Sequence, residues 1–302
     1  MFSLNRWFRT NKTIVPICIL VLLWILFFWR YFADDPNRVV FPDGDFTQQF
    51  FMFRTIAFRQ FIAGQMPLWT NCFFGGYPFH ADPQAQIFYP PVLINFGVLK
   101  LLGYNNFPLI ALTTEAVFHY LAISIFGYLF LKEECGSRIG ALLGAIILAY
   151  GGYLTGYPPL QTASLETATW MPLLLLALRR FALDGNGRAI AGAICTYSLA
   201  FLAGHPQTFV LITYLSIAYF FYRSIVSGRT WVWIASWTSV MFGLLILVVS
   251  LQLFPQMQFL SLSTRSSLPF DELSRGFSTQ DIVQFFITRL TTFKIHLNLR
   301  KA

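Results

Sequence analysis

The run Phe41-Pro42-Asp43-Gly44-Asp45-Phe46-Thr47-Gln48-Gln49 sets two carboxylates around an Asp-Gly turn, a few residues beyond an apolar stretch. A carboxylate so placed can take a proton from a hydroxyl or help to hold a divalent cation. It can equally cap the helix that follows, because Asp is a favoured N-cap residue. Spacing alone leaves both readings of Asp45 open, with Asp43 as its neighbour in either. Arg54 and Arg59 follow on that helix, and with Arg38, His80 and Arg265 they are the cations on this side for a lipid phosphate. Trp69, Tyr77, His80, Asp82 and Gln84 lie in a stretch dense in Gly, Pro and aromatic residues. That composition gives fixed turns and rigid stacking surfaces, suited to a sugar and equally to a lipid headgroup.

Three turns recur: Gly76-Tyr77-Pro78, Gly156-Tyr157-Pro158 and Gly204-His205-Pro206, each upstream of a glutamine, Gln84, Gln161 and Gln207. Helix termination by Gly and Pro explains any one of them. Three on the same side point to a shared polar cavity, for which Gln161, His205 and Gln207 are candidate binding residues. Glu115 and His119 stand four apart inside an apolar run, hence on one helix face. An ionised group at membrane depth costs about 2.5–3.5 kcal/mol, so such a pair faces the bundle interior. It either lines the floor of the cavity or hydrogen-bonds to lock two helices. The chain carries no phosphate-binding loop, dinucleotide fingerprint or nucleophile elbow. Cys18, Cys72, Cys135 and Cys195 form neither a disulfide framework nor a metal-ligand pattern. Any divalent ion would depend on Asp45, and no other cofactor is indicated.

The elements that must position these residues follow from composition. Charged residues make up 11% of the 302, against about 25% in soluble domains, too few to cover a water-facing surface. Apolar runs at 13–32, 107–131, 139–154, 167–181, 189–203, 208–222 and 231–254 predict an all-α membrane protein, a bundle of about seven spans. Gly140 and Gly144 predict close helix approach in the third run. Lys132, Arg138, Arg179, Arg180, Arg188, Arg223 and Arg229 fall in alternate loops, while 155–166 and 204–207 carry no Lys or Arg. By the positive-inside rule this predicts a multi-pass protein of the cell (inner) membrane with a cytoplasmic N-terminus at 1–12. Residues 33–106 then form an extracytoplasmic loop with interfacial helices, 107–254 hold six further spans, and 255–302 are an extracytoplasmic tail. The stretch 87–103 holds Pro90, Pro91, Asn95 and Lys100, and is expected to be interfacial or re-entrant rather than a crossing. The net charge of +8 sits in short clusters between spans, so no nucleic-acid partner is expected.

Several motifs resemble the bacterial YfhO-like membrane protein family. They are Asp43-Gly44-Asp45 with Gln48 and Gln49, Pro67-Leu68-Trp69, Gly75-Gly76-Tyr77-Pro78-Phe79, Asp82-Pro83-Gln84 and Phe88-Tyr89-Pro90-Pro91. Trp170-Met171-Pro172-Leu173, Gly204-His205-Pro206-Gln207 and Gln252-Leu253-Phe254-Pro255 extend the likeness, which runs over about 41–285. The family is similar to a branch of the GT-C glycosyltransferases, multispan enzymes that take a sugar from a polyprenyl-phosphate carrier. The resemblance implies sugar transfer to a cell-surface glycan, lipid or protein acceptor on the outer face, with Asp45 or Asp43 as the catalytic carboxylate. Arg54 or Arg59 would face the leaving phosphate, and Trp69, Tyr77, His80, Asp82 and Gln84 the sugar. Family members are longer, so the chain is expected to be a truncated N-terminal part. The rival readings are a transporter or flippase of a lipid-linked substrate, centred on Glu115 and His119, and an inactive scaffold.

Overall fold

A computed structural model describes residues 13–33, 41, 44–156 and 161–263. Asp43, Arg38, Arg265, the turn residues 157–160 and the segments 1–12 and 264–302 lie outside the described residues. The chain divides into two units, Met1–Phe259 and Leu260–Ala302, and the site belongs to the first. Among the described residues the regular structure is helical, with one isolated bridge between Thr70 and Tyr77. Four helices are long and apolar enough to cross a membrane: Leu109–Cys135, Arg138–Gly156, Pro206–Val226 and Trp231–Ser261.

Helices α1 (Ile14–Phe27) and α2 (Trp29–Phe32) run antiparallel to the later helix Leu109–Cys135, here α5. Three bonds set this register: Lys132 Nζ to Thr13 Oγ1 at 2.6 Å, Trp24 Nε1 to the Val117 carbonyl at 2.7 Å, and Tyr31 with Thr114 at 2.7 Å. Helix α6 (Arg138–Tyr150), capped by the Ser137 hydroxyl on the Gly140 N–H, returns along α5. Its contact face is Ala141, Ala145 and Ala149, all fully buried at four-residue spacing. A Cβ on Gly144 would stand 2.6 Å from Leu131 Cδ1, and one on Gly127 3.0 Å from Leu148 Cδ2. The seam expected at Gly140 and Gly144 is thus shifted: Gly140 is exposed, and the close approach is made by Gly127, Ala145 and Gly144.

After α7 (Gly152–Gly156), the expected span 167–181 is two helices, α8 (Thr162–Thr169) and α9 (Met171–Asp184). They part at Trp170, where Pro172 in the first turn of α9 lacks an N–H to continue the ladder. Every residue of α8 is buried although five are polar: Thr162, Ser164, Glu166, Thr167 and Thr169. Such a helix is tolerable only inside the bundle, with its polar groups paired. Helices α10 (Gly187–Leu202), α11 (Pro206–Val226) and α12 (Trp231–Ser261) complete the ladder. At one end, Arg179 and Arg180 of α9 and Arg223 of α11 meet Glu133 and Glu134 of α5. Arg229 donates to the Ala182 and Leu183 carbonyls at 2.9 Å, satisfying the last turn of α9. Asp45, His80 and His205 lie at the opposite end of the bundle.

Between α2 and α5 the chain forms a π-helical turn (Phe46–Phe50) leading into α3 (Phe51–Ile62), then the turns Phe79–Ala81 and Pro83–Ala85, then α4 (Pro90–Leu101). Both α3 and α4 are antiparallel to α5. Arg54 meets Glu115 and Phe58 meets Phe107, while Tyr89 meets His119 and Asn95 meets Glu115 and Ala111. The stretch 87–103 therefore enters beside His119 and climbs back toward Leu109. Its helix has 12 residues, about 18 Å, against the ~30 Å of a bilayer core.

Candidate functional site

Asp45 opens the π-helical turn without capping it: its backbone is already helical (φ −56°, ψ −29°) and its side chain takes no cap bond. The cap falls instead to Gly44, whose carbonyl accepts from the N–H groups of Thr47 and Gln48. The exposed carboxylate accepts a hydrogen bond from Gln161 Nε2, across 116 residues of sequence. Beside it Gln49 Nε2 donates to Gln84 Oε1 at 2.6 Å. Asp82 accepts from the Tyr77 hydroxyl at 2.9 Å and from the Gln84 N–H at 2.8 Å, fixing the turn that presents Gln84. The Gly204 turn meets the turn Pro83–Ala85 that carries Gln84. Gly204, at φ +82°, packs so close to Pro83 that a Cβ would lie 2.0 Å from the Pro83 carbonyl oxygen. Only glycine fits both that backbone and that contact.

His205 caps α11: its Nδ1 accepts the Thr208 N–H at 3.2 Å and stands 2.8 Å from the Thr208 hydroxyl, itself 3.0 Å from Ser164. An accepting Nδ1 places the proton on Nε2. Burial lowers the imidazole pKa from its ordinary value. His80 Nδ1 lies 2.8 Å from the Leu68 carbonyl, and its own carbonyl accepts from Gln252 Nε2 at 3.0 Å. Trp69 is half exposed and lies against Gly76, where a Cβ would stand 2.6 Å from its ring. Gln207 is exposed.

Beneath this surface is a polar network that the sequence did not reveal as a unit. Arg54 is fully buried. Its Nε donates to Glu115 Oε2 at 3.0 Å, Nη1 to the Ala85 carbonyl at 3.3 Å, and Nη2 to Gln86 Oε1, with Glu166 Oε2 at 3.9 Å. The Gln86 amide donates to Glu166 and to the Ala203 carbonyl. Asn95 Nδ2 donates to Glu115 Oε1 at 2.7 Å. One cation thus stands between two carboxylates, and Glu166 Oε1 is buried with no hydrogen-bond partner. His119 belongs to a second branch. Its Nδ1–H donates to the Glu115 carbonyl at 2.6 Å, so its Nε2 accepts from the Tyr89 hydroxyl at 2.8 Å, which accepts from Trp170 Nε1–H at 2.8 Å. Glu115 and His119 share a face, as their spacing required, but their side chains bind different partners.

Arg54 is therefore shut inside, and Arg59 stands exposed at the far end of α3 beside Asn106. Neither is brought to Asp45. The residues missed as site members are Gln86, Tyr89, Asn95, Glu166 and Trp170. Glu166 alone carried a legible signal, a carboxylate at the edge of an apolar run, where a partner is required. Among the described residues no three His, Cys, Asp or Glu side chains cluster as metal ligands. On the side of the bundle facing α6 and α11 lies an apolar cavity of about 540 Å³, lined by Ile123, Ile147, Leu148, Met171, Leu211 and Leu215 among others. No protein-family model, curated protein or solved structure matches this chain.

Proposed function

We propose that the chain is a GT-C-like membrane glycosyltransferase, a multispan bundle that moves a sugar from a polyprenyl-phosphate carrier to a cell-envelope acceptor on the non-cytoplasmic face of the cell membrane. The observation that carries this reading is Asp45: exposed, freed from capping by Gly44, and oriented by Gln161. In the reaction Asp45 takes the proton of the acceptor hydroxyl as its oxygen bonds to the anomeric carbon, and the bond from that carbon to the carrier phosphate breaks with inversion. Tyr77, Trp69, Gln84 and Gln161 present stacking and amide groups of the kind that hold a sugar. The apolar cavity lined by Ile123, Met171 and Leu211 supports the reading as a place for part of a prenyl chain. In the alternative in which a divalent ion orients the acceptor hydroxyl, Asp45 is the residue that would hold it.

Turnover of a lipid-linked donor by the purified protein tests this. Loss of a general base costs roughly 10²–10⁴-fold, so Asp45→Asn lowers turnover by that factor at unchanged membrane abundance. Turnover that survives in Asp45→Asn removes the residue from the chemistry. One observation favours a second reading, transport or flipping of a lipid-linked substrate. The re-entrant α4 and the broken α8–α9 pair surround an ion cluster with one unpartnered carboxylate oxygen, as in transporters built from discontinuous helices. Flipping lost in a Glu115→Gln, His119→Gln variant that still transfers sugar would decide for it.

A further inference from the structure

The C-terminal ends of α3 and α4 converge, and the cavity between them, about 590 Å³, is lined by Arg59, Ala63, Lys100, Tyr104, Asn105 and Asn106 among others. Arg59 follows Asp45 by 14 residues along continuous helix, about 20 Å, so this is a separate place from the carboxylate. Among the described residues neither cation has a carboxylate partner. Arg59 Nη2 reaches Asn106 Oδ1 only at 3.5 Å, and Lys100 Nζ stands 5.7 Å from the Phe61 ring. The bland role of both is to offset the helix ends they sit on. Each end carries about half a negative charge, so the pair of ends uses one of the two positive charges and leaves about one.

The height of this cavity and the surface below it bear on the kind of anion that the two cations suit. Counting about 20 residues, the length that crosses a hydrocarbon core, back from Lys132 along α5 reaches the neighbourhood of Leu112. The loop 103–106, just before Leu109, then lies immediately outside the hydrocarbon, at the level of phospholipid phosphates. Below it α4 turns Ile94, Val98 and Leu101 outward, 66%, 48% and 89% exposed, on one helix face. An apolar strip leading up to an uncompensated guanidinium–ammonium pair matches a molecule with acyl chains and an anionic head. We propose that this cavity binds the phosphate of an anionic phospholipid of the surrounding bilayer between Arg59 and Lys100, with its chains along Ile94 and Val98. Asn105 and Asn106 supply amide groups for headgroup hydroxyls. The inference rests on the chain lying in a membrane and is independent of sugar transfer.

Native mass spectrometry and thermal melting of the full chain in a neutral detergent test it, with phosphatidylglycerol, phosphatidylcholine and inorganic phosphate as probes. Phosphatidylglycerol is expected to be retained and to raise the melting temperature more than phosphatidylcholine. The Arg59→Gln, Lys100→Gln variant should weaken its retention tenfold or more, while Arg188→Gln, an exposed cation at the other end, should not. Should the double variant fold poorly, Lys100→Gln and Val98→Ser, each exposed, should both reduce retention. Equal retention by wild type and the cation variants overturns the proposal. So does a full stabilisation by inorganic phosphate alone, which would make this a free-anion site.

Discussion

Removing the cation from the Arg54 network should harm the protein far more than removing either carboxylate. Arg54→Leu leaves Glu115 and Glu166 buried without a counter-charge, and breaking a buried ion pair from one side costs about 3–5 kcal/mol. Glu115→Gln leaves Arg54 facing Glu166 and keeps an oxygen and an amide at the site. It loses only interhelical hydrogen bonding, which in membrane bundles averages ~0.6 kcal/mol and reaches about 1.7. The gap between the variants is therefore at least ~1.3 kcal/mol, and at about 2–4 °C per kcal/mol it amounts to at least ~2.5 °C in apparent melting temperature. The assay is tryptophan-emission melting of the full chain in one detergent at neutral pH. The triple variant Arg54→Leu, Glu115→Gln, Glu166→Gln should recover most of the Arg54→Leu loss, because no ionised group then remains in the interior. If Arg54→Leu melts with Glu115→Gln, or the triple variant melts lowest, the charge argument is wrong.

Two further perturbations isolate single contacts. Gly204→Ala combines left-handed backbone strain of about 1–2 kcal/mol with a collision on the Pro83 carbonyl worth a further ~1–3, whereas Gly228→Ala, at φ +73° with open space, meets only the strain. Equal melting of the two variants would show that the Gly204–Pro83 approach does not hold the two turns together. For His205, burial puts the folded pKa below the unfolded one, so the unfolded chain protonates first as pH falls. Stability from this residue is full above about pH 6.5, declines below it, and levels off once the folded imidazole also protonates. His205→Asn keeps an N-cap side chain without the titration; its melting temperature should fall less than wild type between pH 7.5 and 5.5, and an unchanged fall would remove His205 as the cause.

Four of the seven expected spans were legible as helices long and apolar enough to cross, because lipid-length apolar runs are written in sequence order. The run 208–222 and the helix Pro206–Val226 differ only at their ends. The broken pair α8–α9 was not, since the polar residues of α8 look like loop until its neighbours bury them. That 87–103 does not form a helix of membrane length was legible from Pro90, Pro91 and the charge of Lys100, and the structure adds that its 12-residue helix packs antiparallel to α5. In the site, the spacing of Glu115 and His119 gave their common face but not their partners. Arg54 shows the limit most clearly: residue type and place on the helix could not separate an exposed phosphate ligand from a buried ion pair, because Glu166 comes 112 positions later (166 − 54). Asp45 was left open between cap and base, and Gly44 decided the cap.

The shape of α4 also imposes an order in time. A helix of 12 residues is shorter than the ~20 that cross a bilayer core, so its place depends on the helices packed around it. The Tyr89 hydroxyl and the Asn95 amide find partners on α5, and the Trp170 indole that completes the Tyr89 link is synthesised 81 residues later. The contacts that hold the stretch therefore close only after Trp170 has been made, so the floor of the cavity is completed later than its place in the sequence implies.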